Sequence, residues 1–182
     1  MPFKFNPFTK KPDYYEEASV PGITKGWELI KTGTFTNDID ITGLDGNVDK
    51  LYRLIIKARH TAAFYLPFRF NGDASTSYES RFHFSGIWAA AGVHGTTAYT
   101  AETKIYFGSK NAQSKIGDAL IQAESGQVRL INIITTQYTD KDNFVSEIVA
   151  GYWLNTVDNI ITINIIPGAI TAGEYWLFRK KE

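Results

Sequence analysis

The feature that most constrains this chain is a two-residue alternation of apolar and polar side chains, repeated from Lys25 to Lys180. In "KLYRLIIKARH", Tyr52, Leu54, Ile56 and Ala58 oppose Leu51, Arg53, Ile55 and Lys57. "AFYLPFRFN" sets Phe64, Leu66, Phe68 and Phe70 on one face, "YESRFHFSG" repeats the pattern with Phe82 and Phe84, and "NDIDIT" aligns Ile39 with Ile41. Side chains that alternate in this way belong to strands, because successive β-carbons point to opposite faces. The clusters "GLDGN", "NGDAST", "ESGQ", "TDKDN", "NTVDN" and "PGAITAG" separate the runs with turn-forming residues. About ten short strands with such spacing predict an all-β fold, a two-sheet antiparallel jelly-roll sandwich.

One segment reads two ways. "NAQSKIGDALIQAESG", within residues 109–126, spaces Ala112, Ile116, Leu120 and Ala123 as a helix would, with Gly126 placed as a C-terminal cap. Gly117 would then sit mid-helix at a cost of about 1 kcal/mol relative to Ala. "DALIQAE" also alternates, and a loop followed by a strand is the favoured reading.

The opening, "MPFKFNPFTKKPDYYEE", alternates with nothing. Pro7 and Pro12 each remove a backbone donor and push the preceding residue towards extended geometry, which opposes a helix. Pro2 and the lysines at 4, 10 and 11 interrupt the apolar run that a signal peptide needs. Residues 1–22 therefore read as an extended N-terminal anchoring arm, and residues 23–182 as the sandwich domain. Phe3, Phe5, Pro7, Phe8, Tyr14 and Tyr15 are its expected partner-binding residues. Extended arms gain main-chain hydrogen bonds along a sheet edge while their aromatic rings fill pockets.

Charge excludes some partners. Nineteen basic residues balance nineteen acidic ones, so no global field favours nucleic acid or an anionic membrane. No uninterrupted apolar run approaches the roughly 20 residues that a spanning helix needs, so membrane insertion is not expected. There is no cysteine, hence no disulfide and no thiolate nucleophile.

The candidate chemistry is sparse. His60, His83 and His94 have no metal-ligand spacing, and His83, between Phe82 and Phe84, belongs on the outer face of a strand. Asp38, Asp40, Asp45, Asp49, Asp140 and Asp142 are the residues that calcium or a glycosidase mechanism would use. Asp38 and Asp40 flank Ile39 as on a solvated strand face, and the others suit turns. No G-x-S-x-G, Walker loop or G-x-G-x-x-G is present. No catalytic residue, metal ligand or cofactor is expected. Trp27, Trp153 and Trp176 fall in strand patterns and read as core. Trp88 and His94, in the small-residue stretch 88–98, are the candidates for a contact loop. "RLINIITT" is apolar on both faces, with Leu130 and Ile134 opposite Ile131 and Ile133, and "NIITINII" sets Ile161, Ile163 and Ile165 opposite Ile160 and Ile166. A sandwich strand needs one apolar face, so the surplus predicts cover by a loop or by another subunit. Arg at Ile131 or Ile133 would test such a surface.

"LPFRFNGDASTSY" joins two of these strands. Asn71, Gly72 and Asp73 are a turn signal, with Gly72 able to take positive φ, and Tyr78 follows four residues after Ala74. The pattern resembles an L-x-F-N-G-D-x(4)-Y motif of tailed-bacteriophage structural proteins, and "FKFNPFT" with Asp13 is similar to N-terminal arms of other phage virion proteins. Lys10 replaces the glycine usual in that arm. Together the two patterns cover under a fifth of the chain. The resemblance implies a non-enzymatic jelly-roll virion component, often trimeric, assembled in the host cytoplasm. Its place would be on the tail, fibre or baseplate, with capsid decoration the alternative. Its partners would be further copies of itself, other virion proteins through the arm, and a host-surface glycan. A free carbohydrate-binding sandwich is the rival from another class.

Overall fold

Strand β5, Leu51–Arg59, shows how alternation builds the fold. Tyr52, Leu54, Ile56 and Ala58 are buried, while Lys57 and Arg59 face solvent. The structure, a computed structural model, describes residues 3–6, 11–14, 26–88, 91–108, 113–140 and 143–181. β1 (Phe3–Asn6) and β2 (Lys11–Tyr14) pair with each other in a two-stranded sheet of their own. The sandwich follows as β3 (Trp27–Phe35), β4 (Ile39–Thr42), the one-turn helix α1 (Gly46–Asp49), β5, β6 (Pro67–Phe70), β7 (Tyr78–Trp88), β8 (Ala91–Glu102) and β9 (Ile105–Tyr106). It is completed by β10 (Ser114–Gln122), β11 (Arg129–Asp140), β12 (Asn143–Trp153), β13 (Thr162–Ile165) and β14 (Ala172–Lys180).

Two antiparallel sheets result. The larger has the order β3-β14-β5-β10-β11-β12-β7-β8 and the smaller β4-β13-β6-β9. The chain crosses between them, from β3 to β4, back to β5, over to β6, and later β9 to β10 and β13 to β14. This strand order is a jelly roll. The hairpins β7–β8 and β11–β12 are additions to it, and they widen the larger sheet beyond β10. Between the sheets lies one core, with Leu54, Ile56, Leu66, Phe68, Phe70, Phe107, Ile121, Trp153 and Ile163 all at 0% exposure.

The described residues of segment 109–126 contain strand β10 and no helix. The strand's inward positions are Lys115, Gly117, Ala119 and Ile121, and a β-carbon on Gly117 would stand 2.3 Å from the Phe107 ring. α1 occupies the "DGNVD" turn because Asp45 caps it, accepting from the Val48 amide at 3.2 Å.

Three expectations need correction. Ile161 does not share the face of Ile163 and Ile165: it is 53% exposed while both of those are at 0%. The ladder begins only at Thr162, because the Asn71 side chain takes the amides of Ile161 and Thr162 at 2.9 and 3.1 Å. Trp88 and His94 lie in β7 and β8 and not in a loop. Small residues suit that hairpin because Gly95 makes room for Phe84, whose ring would meet a β-carbon there at 2.7 Å. Finally, Ile131 and Ile133 are core, at 1% and 0% exposure, and it is Leu130 and Ile134 that face outward.

Candidate functional site

Outward positions of the larger sheet carry many exposed apolar side chains, with Asp118, Asn132, Thr136 and Ser146 among them. The strand register sets Ile55 beside Asp118, Asp118 beside Ile134, Ile134 beside Ile148 and Ile148 beside His83. Ile134, Ile148 and Ile116 are 65%, 55% and 51% exposed, and Leu130, Tyr138, Phe144, Leu120 and Ile87 lie exposed on the same face. Isolated exposed apolar residues are ordinary, but so many on four adjacent strands make this face the candidate contact surface. A depression of about 420 Å³ opens among Arg81, Leu130, Asn132, Ala150 and Tyr152. Another of about 390 Å³ lies beside Arg81, His83, Thr96 and Ile148.

Charged groups on this face include Arg53, Asp118, Glu79 and Arg81, and the first three are tied. Arg53 grips Asp118 through Nε at 2.9 and 3.1 Å and Nη2 at 2.5 Å, and the carboxylate holds the guanidinium still more firmly protonated. The Tyr152 hydroxyl donates to Glu79, which pushes the phenol above its usual range. A surface with its ions already paired loses less on desolvation than one with free ions.

The other expected residues are dispersed. Asp38 accepts from the Gly168 amide at 2.8 Å and Asp40 from the Asn164 carboxamide at 2.7 Å. Asp45 caps α1, and Asp49 accepts from the Tyr52 hydroxyl at 2.7 Å and from Arg179 at 3.1 Å. Asp140 ends β11 opposite Asn143, and Asp142 lies outside the described residues. Among the described residues no group of three or more acidic or histidine side chains is placed to hold a metal ion. His60 packs edge-on against Phe64 at 6.1 Å. His83 and His94 lie on the exposed side of the β7–β8 hairpin.

Trp153 is core, as expected, at 0% exposure, but Trp27 and Trp176 are half-buried. Trp27 lies under Lys180, whose ammonium is 5.8 Å from the ring centroid. Pro7, Phe8 and Tyr15 of the arm lie outside the described residues, and Phe3, Phe5 and Tyr14 fall in β1 and β2.

The turn motif is a structural joint. Asn71 and Gly72 both have positive φ, 52° and 69°, as a tight turn of this hand requires. Besides taking two amides, Asn71 donates to the Asn159 carbonyl at 2.7 Å, so it binds β6 to the approach of β13. The Tyr78 hydroxyl accepts from the Phe70 amide at 2.9 Å.

The sequence reading missed Ile116, Tyr138, Phe144, Ile148 and Ile87 as members of the exposed face. Their signal was present: each stands two positions or a multiple of two from another outward residue in its own strand. No protein-family model matches the chain, and no curated protein sequence matches it.

Proposed function

We propose that this chain is a non-enzymatic structural component of a tailed-bacteriophage virion. In this reading its N-terminal arm anchors it to other virion proteins, and it associates as a homotrimer through the outer face of the larger sheet. The observation that carries the assembly role is that face, where Ile134 and Ile148 stand side by side at 65% and 55% exposure. Apolar area of that kind gains about 25 cal/mol for each Å² removed from water. The virion placement rests on the resemblance of "FKFNPFT" and "LPFRFNGDASTSY" to phage structural proteins. Tail, fibre or baseplate is the first location, and capsid decoration the second.

Light scattering on the full chain tests the assembly. The expected mass is three times the 20.4 kDa of one chain, falling to one chain in Ile134→Arg with Ile148→Arg. A monomeric parent chain at micromolar concentration contradicts the proposal. Antibody labelling of intact particles tests the placement, since signal at the tail supports the first location and signal over the head the second.

A further inference from the structure

Three polar side chains occupy core positions at one end of the sandwich. Lys115, Gln137 and Glu147 are each 1% exposed and project inward from the adjacent strands β10, β11 and β12. Lys115 and Gln137 are direct partners across β10 and β11, which places their β-carbons about 4.5–5.5 Å apart. The Lys115 amine reaches the Gln137 carboxamide oxygen and lies 5.5 Å from the Phe64 ring centroid. Glu147 stands one inward position along β12 from Val145, the partner of Gln137. The Gly108 backbone closes over it, so near that a β-carbon there would be 2.3 Å from its carboxylate oxygen. Leaving an ammonium and a carboxylate in a dry interior is costly, and a well-packed apolar set is often the more stable choice. Their presence asks for a chemical reason.

We propose that Lys115, Gln137 and Glu147 are a self-crosslinking site, at which the lysine amine and the glutamine carboxamide join in an intramolecular isopeptide bond. The Lys115 Nζ lone pair attacks Gln137 Cδ, the Nζ–Cδ bond forms, and the carbonyl π electrons move onto Oε1. When the carbonyl re-forms, the Cδ–Nε2 bond breaks and its electron pair leaves with nitrogen. Nζ gives up a proton and the departing nitrogen gains one, with the Glu147 carboxyl carrying it between them. One amide is exchanged for another, one ammonia is released, and no oxidant, metal or other reactant is consumed.

The surroundings favour each part of this step. Burial pushes the Lys115 ammonium down to about 8, against the opposing pull of Glu147, which leaves free amine available near neutral pH. The β-ladder holds nucleophile and carbonyl in contact, which converts a slow bimolecular aminolysis into an intramolecular one. The product removes the buried positive charge. It also ties two strands across 22 residues of chain, the constraint a disulfide would supply, in a protein without cysteine. This inference stands apart from the virion reading and needs neither the arm nor the outer face.

Intact-mass spectrometry of the denatured full chain is the test. The expected mass is lower than the sequence mass by one ammonia, with a branched peptide joining the Lys115 and Gln137 segments after digestion. Glu147→Gln, shown by circular dichroism to be folded, should keep the full sequence mass. Lys115→Met combined with Glu147→Gln removes both buried charges and should fold and also keep the full mass. A parent chain at full sequence mass after prolonged incubation at pH 8 overturns the proposal, as does an ammonia loss mapped to other residues. A crosslink still formed in Glu147→Gln removes that residue from the mechanism.

Discussion

Trp153 and Asp73 join the two sheets: the indole N–H of Trp153, at the end of β12, donates to the Asp73 carboxylate, just beyond β6, at 2.7 Å. The Trp153 ring lies almost parallel to Tyr78, with centroids 6.1 Å apart and planes 10° apart, and it contacts Phe70 at 5.1 Å. The second carboxylate oxygen of Asp73 accepts from the Ser75 amide at 2.9 Å. The Asn-Gly-Asp turn and Tyr78 therefore act as one joint, in which the turn fixes the carboxylate and the carboxylate fixes a buried indole.

Asp73→Ala should destabilise the chain by about 1–3 kcal/mol, because it leaves a buried indole N–H without its acceptor. Burial opposes ionisation of Asp73, but the hydrogen bonds from Ser75 and Trp153 prevail and hold its carboxyl below the usual range. Its contribution is therefore present above the ordinary carboxylate pKa and disappears as pH falls through the lowered one. Urea unfolding followed by tryptophan fluorescence at neutral and acid pH should show the parent and Asp73→Ala converging in acid.

How much of this was legible in the sequence depends on the element. Alternation gives parity, and where one parity is polar, as in β5, it also says which face is inside. In β11 both parities are apolar, and the buried one also carries Arg129, Thr135 and Gln137, at 0%, 0% and 1% exposure. Hydrophobicity alone therefore could not choose between Ile133 and Ile134. The Asn-Gly-Asp turn was readable because positive φ leaves so few residue choices. Its bond to Trp153 was not, because 80 residues separate the partners. Lys115 was hidden for another reason: nothing local distinguishes a lysine that packs inward beside Gly117 and Ala119 from one that reaches water.

Tyrosine should set the alkaline limit of the fold. Burial, followed by the hydrogen bond to Asp49, drives the Tyr52 phenol far above its usual value; burial does the same to Tyr78 and lifts Tyr106 to about 12. Groups raised in the folded state contribute stability that is complete below the unfolded pKa of about 10 and is lost as pH rises through the folded values. Stability should fall from about pH 10 upward. Tyr52→Phe should flatten part of that fall, and in the parent these phenols should ionise only together with loss of the folded circular dichroism signal.

Arg129 offers a test of charge burial. It is 0% exposed, its guanidinium lies 5.1 Å from the Trp153 ring, and it donates to the Asp158 carbonyl. Its Nε and Nη1 are buried with no hydrogen-bond partner among the described residues. Burial accordingly lowers its affinity for the proton, with Asp158 partly opposing. A methionine of similar length keeps the contact with Trp153 and removes the desolvation cost, so Arg129→Met should be neutral or stabilising by about 1–2 kcal/mol. Thermal unfolding checks this, and a lower midpoint would mean that the cation and the indole contribute more than burial costs.

Ile133 and Ile134 are consecutive, chemically identical and on opposite faces, which makes them a matched pair for separating fold from assembly. Ile133 is 0% exposed and pairs with Val149 in the core, whereas Ile134 is 65% exposed and pairs with Ile148 on the outer face. Truncating Ile133 to Ala removes buried methyl groups and leaves a cavity, at about 2–5 kcal/mol. Truncating Ile134 removes nothing from the interior of one chain, so the unfolding free energy of the monomer should change by less than about 0.5 kcal/mol. If copies of the chain meet through this face, the same substitution should weaken their association by about 1 kcal/mol or more at each buried contact. Denaturant unfolding at several protein concentrations separates the two effects. Ile133→Ala should lower the midpoint equally at every concentration. Ile134→Ala should shift the dependence on concentration to higher concentrations and leave the dilute limit where it was. An Ile134→Ala chain as concentration-dependent as its parent would move the interface away from the centre of this sheet.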